Sequence, residues 1–387
     1  MLYLDEASTT RPKKEVLKAM IPFYENYWQN PSSLYSPSKN IKSKIEEARY
    51  TVGNFIGADG KEIFFTSGGS ESNCWAIQGF VNECCSKGLS PIVITSAIEH
   101  KSIIDCVKNL IEGCHIVDVD ENGFVDINNL EKTLVNALSN GTEEFLDYEL
   151  LVSIQFANNE IGTIQNIKDI ANLVHAYGGV FHTDAVQAFG HIPIDVKELD
   201  IDMLSASGHK IGTPKGIGFL YKRDGLNIKP LIYGSQMDGM RGGTENVPYI
   251  IGMAKAVELI KRDYCDLNKA LKMELNRNHF INRLRELGCT INGSLNNRLP
   301  NNINATFSDS VTGESLLYAL DLSGIKVSTG SACNSYLIEP SHVLKAIGLS
   351  DANAMKTIRF TLPESIDEEL IDKVIDEIKK AIKIITI

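Results

Sequence analysis

No stretch of this 387-residue chain approaches the about 18 consecutive apolar residues of a membrane span, so a membrane protein is not expected. Basic residues are in deficit: 38 Lys and Arg stand against 49 Asp and Glu, a formal net charge of −11. Such a surface repels phosphate backbones and anionic lipids, which argues against nucleic acid or a bilayer as a direct partner. The opening residues, Met1-Leu-Tyr-Leu-Asp-Glu6, have neither a basic segment nor an apolar run, so no secretory leader is expected. Cysteines are eight and thinly spread, at 74, 84, 85, 106, 114, 265, 289 and 333. They form no CxxC pair and no Cys/His ligand spacing, so neither a disulfide framework nor a metal site is expected. Reduced thiols in a cytoplasmic protein are the natural reading. No GxGxxG follows the first strand, which weighs against a nicotinamide-binding domain.

What is present is ordinary globular material, 43% hydrophobic and 22% charged, enough for a sizeable core. Short apolar runs at 62–66, 91–95, 150–155, 180–184, 202–207 and 217–221 read as strands. Helical patterns begin near Ser70 and recur at 103–111 and 167–177. Continuous apolar strands between helices indicate a sheet covered on both faces, hence an α/β fold with mostly parallel strands. The polar stretch 139–149 reads as an exposed loop. Beyond residue 246 the pattern changes to two long mixed-charge helices, 247–264 and 267–287, then a smaller α+β unit closing with a helix over 367–384. These features divide the chain into a large domain, 13–255, and a small domain built from 1–12 and 256–387.

In open α/β sheets ligands sit beyond the carboxyl ends of the strands. Four such ends carry chemistry. Thr66-Ser-Gly-Gly-Ser-Glu-Ser72 feeds a helix, and Gly69 and Ser70 place backbone N–H groups where an anion would lie. Taken alone it is equally an ordinary strand–helix turn. His182-Thr-Asp-Ala-Val-Gln187 ends a strand with a carboxylate that needs a cationic or N–H partner. Ser205-Ala-Ser-Gly-His-Lys210 sets a lysine among small residues past a buried strand, where desolvation would free its amine to form an imine. Ala157-Asn-Asn-Glu-Ile-Gly162 offers amides to a ring oxygen or carboxylate, or simply forms a turn. Together, an anion cradle, a strand-end Asp and a strand-end Lys 26 residues later describe a pyridoxal-phosphate site.

Ordered along the whole chain, these segments resemble the NifS/IscS-like cysteine desulfurases of the class V aminotransferase family. The likeness begins at Tyr3-Leu-Asp-Glu-Ala-Ser-Thr-Thr10 and includes Glu99-His-Lys-Ser102, Asn158-Asn-Glu-Ile-Gly162, Ser207-Gly-His-Lys210, Arg241-Gly-Gly-Thr-Glu-Asn246 and Gly330-Ser-Ala-Cys333. It implies a pyridoxal-phosphate-dependent transferase of fold type I, with a large domain and a smaller one carrying a cysteine loop. Lys210 would carry the cofactor as a Schiff base, and His100 would stack on its ring and assist proton transfers. Asp184 would pair with the ring nitrogen and Gln187 with the phenolic oxygen. Ser70, Ser207 and His209, with Gly69 in the same turn, would hold the phosphate, joined by Thr244 from the other subunit of a homodimer. Asn159 would lie beside the cofactor and the substrate carboxylate, and Arg359 would clamp that carboxylate.

Cys333 separates one activity from its neighbours. It lies among small residues without apolar periodicity, as an exposed loop would. In the family that cysteine, as thiolate, takes sulfur from L-cysteine as a persulfide and leaves alanine, and the sulfur then passes to an acceptor protein for Fe–S assembly or thiolation. A C–S or selenocysteine lyase, a related aminotransferase or a non-catalytic module of the same fold are the competing readings. Three places depart from the family pattern: Tyr35 stands where a His is usual, Thr213 where a Tyr-Gly-Pro run is usual, and Gly234-Ser-Gln-Met-Asp-Gly239 replaces a run containing a Glu-Arg pair.

Overall fold

The computed structural model describes residues 1–111, 114–139, 148–264, 267–308, 311–329 and 339–385. The amino-terminal segment forms β1 (Leu2–Tyr3) and the helices α1 (Lys14–Met20), α2 (Pro22–Glu25) and α3 (Ser36–Phe55). Strands and helices then alternate: β2 (Ile63–Thr66), α4 (Gly69–Ser86), β3 (Ser90–Ser96), α5 (Lys101–Leu110), β4 (His115–Val117), α6 (Ile127–Ser139), β5 (Tyr148–Ser153), α7 (Ile167–Ala176) and β6 (Val180–Asp184). The strands β7 (Met203–Ser207) and β8 (Gly218–Lys222) complete one seven-stranded sheet, in the order β2-β8-β7-β6-β5-β3-β4.

The apolar runs are continuous because both faces of this sheet are covered. Alternate residues go to opposite sides. Phe65, Ile94, Val152, Leu204 and Phe219 enter the core shared with α3 and α7. Their neighbours Phe64, Val93, Leu151, Met203 and Leu220 enter the core under α4 and α5. Five of the seven strands run as parallel neighbours, β7-β6-β5-β3-β4, while β8 lies antiparallel between β7 and β2. The connection 208–217 explains that reversal, since it is shorter than the about dozen residues a parallel crossover needs. Because β8 opposes both its neighbours, β2 points the same way as β7. The carboxyl ends of β2, β3, β5, β6 and β7 therefore share one edge of the sheet.

The strand expected at 150–155 is in register at Tyr148–Ser153, so the polar loop expected at 139–149 is shorter at its end. Tyr148 and Glu149 belong to β5, Ser139 closes α6, and residues 140–147 lie outside the described set.

The chain continues through α8 (Val247–Tyr264) and α9 (Leu267–Glu286) into β9 (Thr290–Ile291), β10 (Asn302–Thr306), α10 (Gly313–Leu322), β11 (Ile325–Lys326), α11 (His342–Ala346), α12 (Asp351–Ala354), β12 (Thr357–Thr361) and α13 (Glu368–Ile385). Here β12, β10 and β9 form an antiparallel sheet, and β1 pairs in parallel with β11. A separate core gathers Leu4, Phe280, Leu316, Phe360, Ile371 and Ile375, with Phe280 and Phe360 packed ring against ring at 5.0 Å. α13 turns its Ile371, Val374, Ile375 and Ile378 stripe inward at helical spacing and leaves its charged face to water.

Candidate active site

The shared edge of the large sheet bounds a cavity of about 390 Å³. Of the residues expected at the site, it brings together Gly69, Ser70, His100, Asn159, Asp184, Gln187, Ser207, His209, Lys210 and Arg359. Nine of them come from the ends of five strands, β2, β3, β5, β6 and β7, or the turns that follow, and β12 supplies Arg359 from the second sheet.

Asp184 closes β6 and is buried. Its Oδ2 accepts from Asn73 Nδ2 at 2.7 Å and its Oδ1 from the Val186 amide at 2.9 Å, so the carboxylate is held from both sides. The turn before α4 approaches closely: a Cβ on Gly69 would stand 2.6 Å from Val186 Cγ2, a distance only glycine avoids. The first N–H groups of α4 have no acceptor within the helix, and Ser207, at the end of β7, stands beside this turn. Glu71, in that first turn, binds Arg241 at 3.0 Å. Burial would raise the Glu71 carboxyl, but Arg241 and the Ser67 donors outweigh it and hold it below its ordinary range.

His100 caps α5: its Nδ1 accepts from the Ser102 amide at 3.2 Å and lies 2.8 Å from Ser102 Oγ. An accepting Nδ1 leaves the neutral ring's proton on Nε2. Behind it Glu99 is fully buried, with Oε1 accepting from Ser96 Oγ at 2.5 Å and from the Gln155 amide at 3.0 Å. Burial pushes that carboxyl up to about 8, and Asp184 adds to the rise. His209 moves the other way, down to about 4, through burial and then the nearby Lys210 and Lys215 charges.

Lys210 sits in a single 3₁₀ turn, 208–210, just past β7. Its Nζ donates to the carbonyls of Ala7 at 2.5 Å and Ser8 at 2.8 Å. Gln187 Nε2 donates to the same Ala7 carbonyl at 3.0 Å, and Thr10 Oγ1 donates to the His209 carbonyl at 2.9 Å. The segment 7–10 thus lies along the site. Arg359 is buried and holds Asp5 Oδ1 at 2.7 Å, Ser8 Oγ at 2.9 Å and the Asn159 carbonyl at 3.1 Å. Its Nε is buried and has no hydrogen-bond partner among the described residues.

Two expected residues are not in this cavity. Thr244 is exposed on this chain, on the segment that Arg241 ties to α4. Cys333 lies in 330–338, outside the described residues. The flanks of that stretch are described and both meet the site. Ser328 exchanges backbone hydrogen bonds with Arg359, at 2.7 and 3.2 Å. On the far side Ser341 Oγ donates to the buried Glu160 at 2.6 Å, and His342 Nε2 meets the Glu99 carbonyl at 2.9 Å. Burial raises Glu160 to about 7 against the lowering pull of Ser341 and Arg359.

Sequence reasoning missed Asn73, Ser102, Gln155 and the carbonyls of Ala7 and Ser8. Asn73 carried a usable signal, since it stands four residues after Gly69 and so returns to the same helix face. The two carbonyls carried none. Of the departures from the family pattern, Tyr35 precedes α3, exposed and off the cavity. The segment at 234–239 borders a separate cavity of about 120 Å³ with Arg49 and Lys42, and holds Met237 and Asp238 at positive φ of 46° and 58°. Thr213 is buried behind the Lys210 turn.

The donor set tests what the cavity can hold. A carboxylate fixed on two sides, a lysine amine, a glycine-opened helix start and an arginine with a spare buried N–H suit a flat, phosphorylated, carbonyl-bearing ring beside a carboxylate. That is the chemistry of pyridoxal phosphate with an amino acid.

Comparison with known proteins agrees. The family model for aminotransferase class-V matches residues 2–374. A protein of Dictyoglomus turgidum named cysteine desulfurase IscS is 44% identical, covering 99% of this chain and 94% of its own length. Its counterpart in Methanosarcina thermophila is 42% identical, covering 99% and 92%. Among solved structures, a NifS-like protein superposes with a TM-score of 0.87 at 34% identity, over 100% of this chain and 99% of its own. SspA in complex with cysteine gives a TM-score of 0.77 at 33% identity, over 94% and 99%.

Proposed function

The chain belongs to the aminotransferase class-V family, and from that premise we propose that it is a pyridoxal-phosphate-dependent cysteine desulfurase. The observation that carries this reading is the meeting of Lys210, Asp184 and Arg359 in one cavity, with one flank of the Cys333 segment hydrogen-bonded to Arg359 and the other to the buried Glu160.

Pyridoxal phosphate supplies an electron sink conjugated to the Cα of a bound amino acid. The protein's own residues do the rest. Lys210 would hold the cofactor through its amine, and the same Nζ would accept the Cα proton. Asp184, braced by Asn73 and the Val186 amide, keeps a proton on the ring nitrogen. Gln187 bonds the phenolic oxygen, and Asn159 borders cofactor and substrate. The start of α4 with Gly69 and Ser70, together with Ser207 and His209, receives the phosphate. Arg359, on the cavity wall, would clamp the carboxylate of L-cysteine, and His100 would stack on the ring and assist proton transfers. Cys333, as thiolate, takes the substrate's sulfur to form a persulfide, and alanine departs.

The exposed Thr244 supports a homodimer in which each chain completes its partner's phosphate site. The described thiols at 74, 84, 85, 106, 114 and 289 are free, in keeping with the cytoplasm. No described helix is long and apolar enough to cross a membrane. A relative's name, IscS, and the acidic surface favour a protein as sulfur acceptor, with Fe–S assembly its destination.

The test is stoichiometry. With dithiothreitol present to reduce the persulfide, L-cysteine should yield sulfide and alanine in equal amounts. Cys333→Ala should abolish both while leaving the cofactor's visible absorbance intact. Undiminished sulfur release by that variant, or pyruvate as product, would overturn the proposal in favour of a lyase.

A further inference from the structure

The carboxyl-side flank of the Cys333 segment meets the large domain through two adjacent residues, and each grips a turn that supplies the cavity. Ser341 Oγ donates to the Glu160 carboxyl at 2.6 Å, and Glu160 directly follows Asn159. His342 Nε2 donates to the Glu99 carbonyl at 2.9 Å, and Glu99 directly precedes His100. Beneath these bonds Val343 and Leu344 of α11 share a small apolar cluster with Ile98 and Ile161, the chain neighbours of the same two glutamates.

Glu160 is buried, yet its own turn is closed by other groups. Asn158 Oδ1 accepts from the Glu160 and Ile161 amides at 2.8 and 2.9 Å, and the Gly162 amide donates to the Asn158 carbonyl at 3.0 Å. The small sheet holds the carbonyls of the turn. Asn304 Nδ2 donates to the Glu160 carbonyl at 3.2 Å, and Arg359, its cross-strand partner, donates to the Asn159 carbonyl at 3.1 Å. The backbone is thus fixed without the Glu160 side chain, whose carboxyl reaches across to the flank instead. Burying a carboxyl is costly unless it is hydrogen-bonded, and Ser341 supplies the bond. The apolar cluster cannot replace that bond, because apolar packing is non-directional and does not fix how α11 is turned on the large domain. A hydrogen bond ties one atom of the flank to one atom of the turn.

We propose that Glu160 is a positioning residue for sulfur transfer: through Ser341 it sets the carboxyl-side flank of the Cys333 segment against the turn that places Asn159 in the cavity. In the step it serves, the Cys333 thiolate attacks the sulfur of L-cysteine and an S–S bond forms. The Cβ–S bond breaks with its electron pair left on carbon, which takes up a proton and departs as alanine. Binding of the amino acid and removal of its Cα proton come earlier and use Lys210, Asp184 and Arg359, not this flank. A nucleophile misplaced by 1 Å loses about a hundredfold in rate, so loss of the Glu160–Ser341 bond falls on the transfer.

This inference rests on the reading of the protein as a cysteine desulfurase. It is tested in the holoenzyme by timing two steps in Glu160→Ala, Glu160→Gln and Ser341→Ala. Exchange of the Cα proton of L-alanine in heavy water, which involves no sulfur, should stay within about twofold of wild type in all three. Single-turnover formation of the Cys333 persulfide from L-cysteine, read by mass spectrometry of the alkylated peptide, should slow about tenfold in Glu160→Ala and Ser341→Ala. Glu160→Gln keeps an oxygen for Ser341 and should restore transfer to within about threefold of wild type. Independently of turnover, the Val343 and Leu344 amides, which Ser341 Oγ caps, should exchange hydrogen faster in Glu160→Ala than in Glu160→Gln. Should Glu160→Ala not fold, Ser341→Ala removes the same bond from the other side and decides the matter. Persulfide formed at the wild-type rate without this bond, or Cα exchange and transfer falling together, overturns the proposal. Wild type that exchanges the Cα proton of L-alanine but forms no persulfide on Cys333 overturns the desulfurase reading itself, and the positioning role with it.

Discussion

At the scale of residues, the site is a set of buried groups whose neighbours decide their charge. Glu99 shows this most clearly. Its carboxyl is fully buried, receives two hydrogen bonds on one oxygen, and has no partner among the described residues for the other. Burial raises it from 4.5 to about 8, so the folded state favours the neutral acid. The sign follows directly: between those values the unfolded chain has released a proton that the folded one keeps, so stability falls as pH rises. The contribution is complete below 4.5 and gone above about 8. Glu99→Gln should therefore remove part of the wild-type loss of stability between pH 5 and 8, read as urea midpoints along a pH series. Parallel pH profiles for both proteins would contradict the assignment. The residues that sequence made legible, Lys210, Asp184 and Asn159, are side chains at strand ends, where composition is informative. Asn73 was legible only through its four-residue spacing from Gly69 on α4. The Ala7 and Ser8 carbonyls that receive Lys210 were hidden because every residue has a carbonyl.

At the scale of elements, the sheet's strands and most helices follow from apolar runs and 3.6-residue periodicity. The direction of β8 does not, because an apolar run reads the same either way. It follows only from the length of the connection that carries Lys210. The flanks of the 330–338 segment show what elements add to function. Ser341 both caps α11, through the Val343 and Leu344 amides, and satisfies the buried Glu160. Ser341→Ala should destabilise the protein by about 1–2 kcal/mol in urea unfolding, through a lost cap and a stranded carboxyl. It should also lower the rate of desulfuration while the cofactor's absorbance remains, since it touches the flank of the Cys333 segment and not the ring. A variant as active and as stable as wild type would show that this contact anchors nothing.

At the scale of the whole molecule, a large mixed sheet and a small antiparallel one meet at Arg359. β12 delivers it from the small sheet into a cavity built from the edge of the large one and the segment at Ala7 and Ser8. The same scale exposes an incomplete feature. Thr244 faces solvent, and Ile21, Tyr24, Tyr27 and Trp28 expose large apolar side chains along one stretch of chain, Trp28 at 71%. Exposed apolar side chains of this kind fit the proposed homodimer. Light scattering after gel filtration should find two chains per particle. Trp28→Glu should shift the particle toward one chain and weaken cofactor retention, because Thr244 then has no partner site to complete. A monomeric wild type with full cofactor occupancy would contradict the dimer.

The central claim is that Cys333 carries sulfur drawn from L-cysteine in this cavity. The most direct measurement is mass spectrometry of the alkylated holoenzyme after one turnover with L-cysteine and no acceptor. The account predicts one added sulfur atom on the Cys333 peptide, matched by one alanine released. Alanine or sulfide released with Cys333 unmodified, or the added sulfur found on another cysteine, would contradict it.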